Sequence, residues 1–225
     1  MTDSDGDLRR WRLPRGRHGL PRELVVRSQR ERLLAAVVQV TAARGYESTS
    51  VADILEEAGV GRESFYELFD DKQDCLLVAR GLLVDDLEAT VRAAYGGGEA
   101  WADRVRKGLT AMLTWFAADP AAARVVVIEL AAVGAPAREI FQTDFNRFVK
   151  LMDDELDEAI PGLPQATGLG VGGLLARVYE EVVRDRTAQL PELLPELLYE
   201  LLVPFLGEDA AAAERSRAEA IADAR

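Results

Sequence analysis

The chain has 225 residues, with 27 basic and 39 acidic side chains, one His and one Cys. That length accommodates one or two domains with a true hydrophobic core. A single thiol excludes an internal disulfide framework and a multi-cysteine metal site, and His18 alone in a polar stretch supports neither a catalytic triad nor a His-rich metal site.

The net charge of −12 argues against a nucleic-acid partner only until it is divided along the chain. Residues 8–44 carry ten Arg against Glu23 and Glu31, a local charge of +8. Residues 81–225 carry 14 basic and 25 acidic groups, a charge of −11. Of the 27 basic residues 24 are Arg, whose forked donors suit phosphate and guanine. A basic front end thus precedes an acidic body.

Apolar residues recur at three and four along nearly the whole chain, and strand-like alternation is absent, so the fold class is all-α. Residues 1–27 read as a basic N-terminal arm. Within it, Pro14-Arg15-Gly16-Arg17 resembles the short arginine cores that lie in narrow A·T minor grooves, with Arg15 and Arg17 as the contacts. A solvated arm adding only non-specific attraction is the other reading. No export signal is visible in it, and the expected location is cytoplasmic.

A helix-turn-helix domain is expected over 28–75. Its first helix, 28–44, has Leu33, Leu34, Val37, Val38, Val40 and Thr41 as a buried stripe and stops at Gly45. Ser50 and Asp53 form a capping box for a second helix, Val51–Ala58. Gly59-Val60-Gly61 is a tight turn into a third helix, about Arg62–Phe69. Two short helices joined by a glycine turn can place the second in a major groove. Asp71 caps a longer fourth helix that opens with Lys72.

The run from Gly45 to Ile54, then Ala58-Gly59-Val60, then Phe65-Tyr66-Glu67-Leu68-Phe69-Asp70-Asp71-Lys72, resembles the DNA-binding domain of TetR-family transcriptional regulators over roughly residues 28–77. The resemblance implies that Thr49, Ser50, Tyr66 and Lys72 meet the phosphate backbone, which sets register without reading sequence. It also implies that Arg62 and Ser64, on the first turn of the third helix, reach base edges. Three departures stand out. Gly61 replaces the usual Ser. Glu63 and Glu67 put carboxylates on a helix that approaches a polyanion, either accepting from a cytosine amino group or facing away. Leu68 replaces a polar or aromatic residue.

Residues 76–207 are expected to form a helical effector-binding and dimerisation domain, followed by a C-terminal tail, 208–225. Trp101, Val105, Leu109, Met112 and Phe116 fall on one helix face, and Phe141, Phe145, Phe148 and Met152 on another, from about Ala137 to Ile160. Such aromatic rows form either plain core or a cavity for an apolar or aromatic effector. In the second reading Trp101, Met112, Trp115, Phe116, Phe141, Phe145 and Phe148 line it. No basic cluster there suits a phosphorylated ligand.

Pro161–Gly173 reads as a loop, whose glycines lack the Lys-Ser/Thr ending of a phosphate loop. Two further helices carry double apolar rows, which need partners on two sides. Leu174, Val178, Val182, Leu194, Leu198, Leu201 and Leu202 are the candidates for a four-helix interface with a second copy. A larger monomeric core is the alternative. Pro191 suits a first helical turn, and Pro195 signals either a kink or a later start. Leu193–Leu206 is too interrupted by Pro195, Glu196, Glu200 and Pro204 to span a membrane, and no membrane partner is expected.

These features point to a ligand-responsive DNA-binding regulator, expected to be a homodimeric repressor on a palindromic operator, released by a small effector. No cofactor and no metal is called for. Enzymatic activity is not expected either, since the carboxylates Asp153, Asp154, Glu155, Asp157 and Glu158 read as a solvated helix face. A helical protein-interaction adaptor and a constitutive DNA-binding protein without an effector stand as the other readings.

Overall fold

The computed structural model describes residues 21–96, 100–159 and 164–223, which form helices and connecting turns with no strand among them. The chain divides into two compact units, the first ending at Gly81 and the second beginning at Leu82. Arg15 and Arg17 lie outside the described residues.

The first unit contains α1 (Arg22–Arg44), α2 (Val51–Ala58), α3 (Arg62–Tyr66) and the start of α4 (Lys72–Ala94). α1 begins six residues before the expected position 28, because Pro21 is a natural helix boundary and its carbonyl accepts from Leu24 N at 3.0 Å and Val25 N at 3.3 Å. Gly45, at φ 80°, ends it as the sequence implies. Leu33 and Val37 of α1 join Ile54, Phe65 and Leu76 as fully buried side chains. Burying a side chain such as Phe65 stabilises the unit by roughly 1.5–3 kcal/mol. α3 stops at Tyr66, and turns closed by Leu68 N and Phe69 N on the Phe65 carbonyl, at 3.0 and 2.9 Å, replace its expected last residues.

The second unit adds α5 (Trp101–Ala118), α6 (Pro120–Val127), α7 (Ala137–Ala159), α8 (Pro164–Val183), α9 (Leu194–Leu206) and α10 (Glu208–Asp223), with 3-10 turns at Glu129–Val133 and Thr187–Leu193. Asp119 caps α6, accepting from Ala122 N at 2.9 Å, with Pro120 in the first turn where no amide hydrogen is missed. α9 starts at Leu194 with Pro195 in its first turn, so Pro195 marks a true start and Pro191 belongs to the preceding 3-10 turn.

One expectation for this unit is corrected, and two further features of it add to the sequence reading. Residues from Pro164 onward in the glycine-rich stretch are helix, not loop. At Gly170 the missing side chain makes room for a neighbour, because a Cβ there would meet Leu201 Cδ1 at 2.6 Å. The terminal segment is the helix α10, seated through Ala211 and Ala218, which are seven residues apart and almost fully buried. Of the residues expected to meet a second copy, Val178, Val182, Leu198, Leu201 and Leu202 are buried in their own unit, and Leu174 and Leu194 pack partly buried against them. Within one chain these rows already have their partners.

Candidate nucleic-acid interface

The turn between α2 and α3 is set by Gly59, in the left-handed region at φ 60° and ψ 40°. A Cβ there costs about 1–2 kcal/mol, which glycine avoids. Arg32 of α1 reinforces the turn. Its guanidinium donates to the Gly59 carbonyl at 2.6 Å and also to the Ala58 carbonyl, satisfying acceptors that the end of α2 leaves open.

The start of α2 is closed as the sequence implies. The Ser50 hydroxyl accepts from Asp53 N at 3.3 Å and donates to Asp53 Oδ2 at 2.6 Å, while Ser50 N donates to the same carboxylate at 2.9 Å. Arg44 adds an ion pair to Asp53 Oδ1 at 2.5 Å. The Ser50 bonds, followed by the Arg44 charge, hold the Asp53 carboxyl below the usual aspartate range.

Thr49 and Lys72 turn inward. Thr49 is buried and donates its hydroxyl to the Gly45 carbonyl at 2.8 Å. The Lys72 ammonium reaches the carbonyls of Thr49 at 2.7 Å, Tyr46 at 2.9 Å and Glu47 at 3.5 Å, and lies 4.4 Å from the centre of the Tyr46 ring. A compact ammonium with three donors suits three converging carbonyls in a way a planar guanidinium does not. Lys72 therefore ties the α1–α2 connection to the start of α4. Asp71 caps that start, accepting from Asp74 N at 2.9 Å.

The outward side chains are on α3. Arg62 is exposed on its first turn, and Tyr66 is half exposed while its ring meets Phe65 edge-on at 5.3 Å. Gly61 precedes α3 without a side-chain cap. Ser64 is partly exposed and accepts from Gln29 Nε2 at 3.3 Å. Glu67 lies 3.9 Å from the Arg22 guanidinium, which offsets one of the two carboxylates that departed from the pattern. Phe65, Phe69 and Leu76 complete the hydrophobic support beneath.

Residues 33–79 match the family model described as bacterial regulatory proteins, tetR family. Over this stretch the chain is similar to the regulatory proteins of the tetR family. An uncharacterised HTH-type transcriptional regulator of Lactococcus lactis subsp. lactis is 27% identical over 146 residues, covering 61% of this chain and 72% of that protein. A likeness of fold to solved structures extends over most of the chain. The regulator FadR of Bacillus subtilis, solved with stearoyl-CoA, superposes with a TM-score of 0.69 at 20% identity, covering 79% of this chain and 98% of that one. The fatty acid degradation regulator FadR of Bacillus halodurans gives 0.68 at 21% identity, covering 79% and 96%.

Among the TetR-type contacts expected from the sequence, Arg62, Ser64 and Tyr66 stand at the surface and Ser50 is an exposed cap, whereas Thr49 and Lys72 are engaged within the unit. Gln29, Arg32, Arg44 and Tyr46 had no role in the sequence reading. Their partners lie 35, 26 or 27, 9 and 26 positions away, and local spacing carries no trace of such pairs.

In the body, six of the seven expected effector contacts fall in one hydrophobic cluster, with Phe141 outside it. Trp101, Met112 and Phe116 are core, and Trp101 meets Phe205 edge-on at 5.4 Å. Trp115 donates its indole N–H to Asp86 Oδ2 at 2.7 Å. Phe141 and Phe145 stack 6.2 Å apart, with Phe141 half exposed, and Phe148 is partly buried. A shallow groove of about 390 Å³ along α7 is lined by Ala135, Arg138, Glu139, Gln142, Thr143 and Asn146, and by none of the seven. On α4, Asp85 and Glu88 both pair with Arg147 of α7, at 2.9 Å for Asp85. Among the described residues no helix is long and apolar enough to cross a membrane.

Proposed function

We propose that this chain is a TetR-family repressor that binds a palindromic operator as a homodimer and is released by a small apolar or aromatic effector. The observation that carries the DNA-binding part is the outward set Arg62, Ser64 and Tyr66 on a short α3 held rigidly by Arg32, Lys72 and the Ser50–Asp53 box. Arg62 supplies base recognition, worth about 1–3 kcal/mol for a bidentate contact to guanine. Tyr66 and the open amides at the start of α2 supply phosphate contacts. The acidic body repels DNA and confines contact to the front end.

A homodimer is supported by the outer face of α8. Leu169, Gly172, Ala176, Tyr179 and Val183 recur at alternating three and four, the spacing of a helix–helix seam. Leu169, Tyr179 and Val183 are exposed, and a side chain added at Gly172 would meet nothing within 4 Å. This stripe, continuing the rows named from sequence, is the surface proposed to meet a second copy. The two α3 helices would then sit in half-sites about one turn of DNA, roughly 34 Å, apart or further.

Effector release is supported by the aromatic bulk around Trp115, Phe145 and Phe148, and by the bound stearoyl-CoA of the Bacillus subtilis relative. An effector that displaced α5 or α7 would act on α4 through Trp115–Asp86 and Arg147–Asp85/Glu88. It would weaken DNA binding only by its differential affinity for the two states.

The test is selection of bound fragments from random double-stranded DNA, followed by sedimentation of the complex. The expected result is an enriched palindrome carrying two chains. Tyr179→Glu combined with Val183→Glu should give a monomer that binds it at least tenfold more weakly. An enriched site without two-fold symmetry, bound by a single chain, would overturn the homodimer.

A further inference from the structure

The bond between Gln29 and Ser64 has a direction, and that direction has a chemical consequence. Arg22, Gln29 and Arg32 are seven and three residues apart on α1, so they share one helical face. Each meets the helix-turn-helix: Arg22 at Glu67, Gln29 at Ser64, Arg32 at the Ala58 and Gly59 carbonyls. The Arg32 contact secures the turn and the Arg22 contact is an exposed ion pair. Only the Gln29 contact ends on an α3 side chain expected to read a base.

A serine hydroxyl has one proton and two lone pairs, and without a fixed neighbour it rotates to donate or accept as required. Here the Gln29 amide N–H occupies a lone pair of Ser64 Oγ from the α1 side, at 3.3 Å. Ser64 cannot return its proton to the group that is donating to it. The proton is therefore left for another partner while only one lone pair remains to accept, which shifts the hydroxyl toward donation. Hydrogen bonding from the amide also polarises the O–H and strengthens it as a donor.

We infer that Gln29 is a positioning residue for base recognition, shifting the Ser64 hydroxyl toward hydrogen-bond donation and so biasing one base pair in each half-site toward an acceptor edge. In the major groove that edge is guanine O6 or N7, adenine N7 or thymine O4, and the cytosine amino group is disfavoured. The inference rests on the proposed reading that α3 enters the major groove.

The experiment uses the full chain and double-stranded oligonucleotides. The operator selected by the wild-type chain is substituted at every base pair in turn, and Kd is measured for the wild type, Ser64→Ala, Gln29→Leu, Gln29→Glu and the double variant Ser64→Ala with Gln29→Leu. Ser64→Ala is expected to lower discrimination by about 3- to 10-fold at one symmetric base pair, the scale of one hydrogen bond. Gln29→Leu should do the same at the same base pair and add nothing in the Ser64→Ala background. Gln29→Glu, nearly isosteric, takes the Ser64 proton and exposes oxygen lone pairs, so preference at that pair should move toward an amino-bearing base. General repulsion from the new carboxylate would lower all affinities equally and leave the profile alone.

The inference is overturned if Gln29→Leu leaves the profile unchanged, weakens every oligonucleotide uniformly, acts at a different base pair, or adds to Ser64→Ala. If instead no operator emerges, or Ser64→Ala alters no base preference, the reading of α3 fails, and the inference fails with it. If Ser64→Ala alters the profile and Gln29→Leu does not, only the inference fails.

Discussion

The Arg32 guanidinium occupies the space beside Gly59 that any larger residue would need, its Nη2 lying 2.8 Å from the position of an added Cβ. Gly59 also sits at φ 60°. The two features act together, since the backbone that exposes the Gly59 carbonyl to Arg32 is the one that other residues adopt at a cost. Gly59→Ala is expected to destabilise the first unit by about 1–2 kcal/mol, and by more if Arg32 is displaced from both carbonyls. Urea unfolding followed by a probe in this unit should show a lower midpoint with an unchanged slope.

Lys72 gives a sharper distinction between a structural and a phosphate-binding cation. Its ammonium is directed at three carbonyls and the Tyr46 ring. Lys72→Met is expected to cost about 1–3 kcal/mol of stability, and Lys72→Arg should not restore it. A phosphate contact contributes about 0.9 to the slope of log K against log salt. On this geometry the slope stays unchanged in Lys72→Met while the affinity falls. A slope reduced by about 0.9 would place the ammonium on DNA.

Asp53 predicts an acid limit for α2. Its carboxyl is held below the ordinary aspartate value of about 3.9 by the Ser50 hydroxyl and amide and then by Arg44. The folded pKa is lowered, so the contribution is complete above the unfolded value and is lost as pH falls below about 4 through the folded one. Ser50→Ala should cost about 1 kcal/mol at neutral pH. It should also raise the pKa of Asp53, measurable by carboxyl NMR titration, whereas an unchanged pKa would remove Ser50 as its main cause.

Cys75 is buried against Leu33, and burial followed by the Asp74 charge pushes its thiol up to about 12. The reactive species is the thiolate. Cys75 in the folded chain should therefore resist alkylation at pH 7–8, with modification appearing only along the unfolding transition in urea. Rapid labelling of native protein would contradict the packing around α1 and α4.

The sequence made the motif legible and left its internal wiring hidden. Ser50–Asp53, Gly59 and Asp71 act within three or four residues, so spacing alone reveals them. Thr49 and Lys72 carry the same resemblance to phosphate contacts, yet their bonds run to backbone groups fixed by the packing of α1, α2 and α4. In the body, a helix apolar on two rows announces two partners without saying which row faces its own core. Val178 and Val182 face inward, and Tyr179 and Val183 remain outside. The glycines after Pro164 have the spacing of loop punctuation, although Gly170 lies in α8 beside Leu201.

We propose above all that α3 is the base-reading element of a salt-dependent DNA-binding surface. The decisive measurement is Kd for the selected operator and its single-base substitutions over a range of salt, for the wild type and Arg62→Ala. Affinity should fall linearly in log K against log salt, and Arg62→Ala should cost about 1–3 kcal/mol with relaxed preference at one base pair per half-site. Binding that is indifferent to salt, with Arg62→Ala leaving every base preference intact, would contradict it.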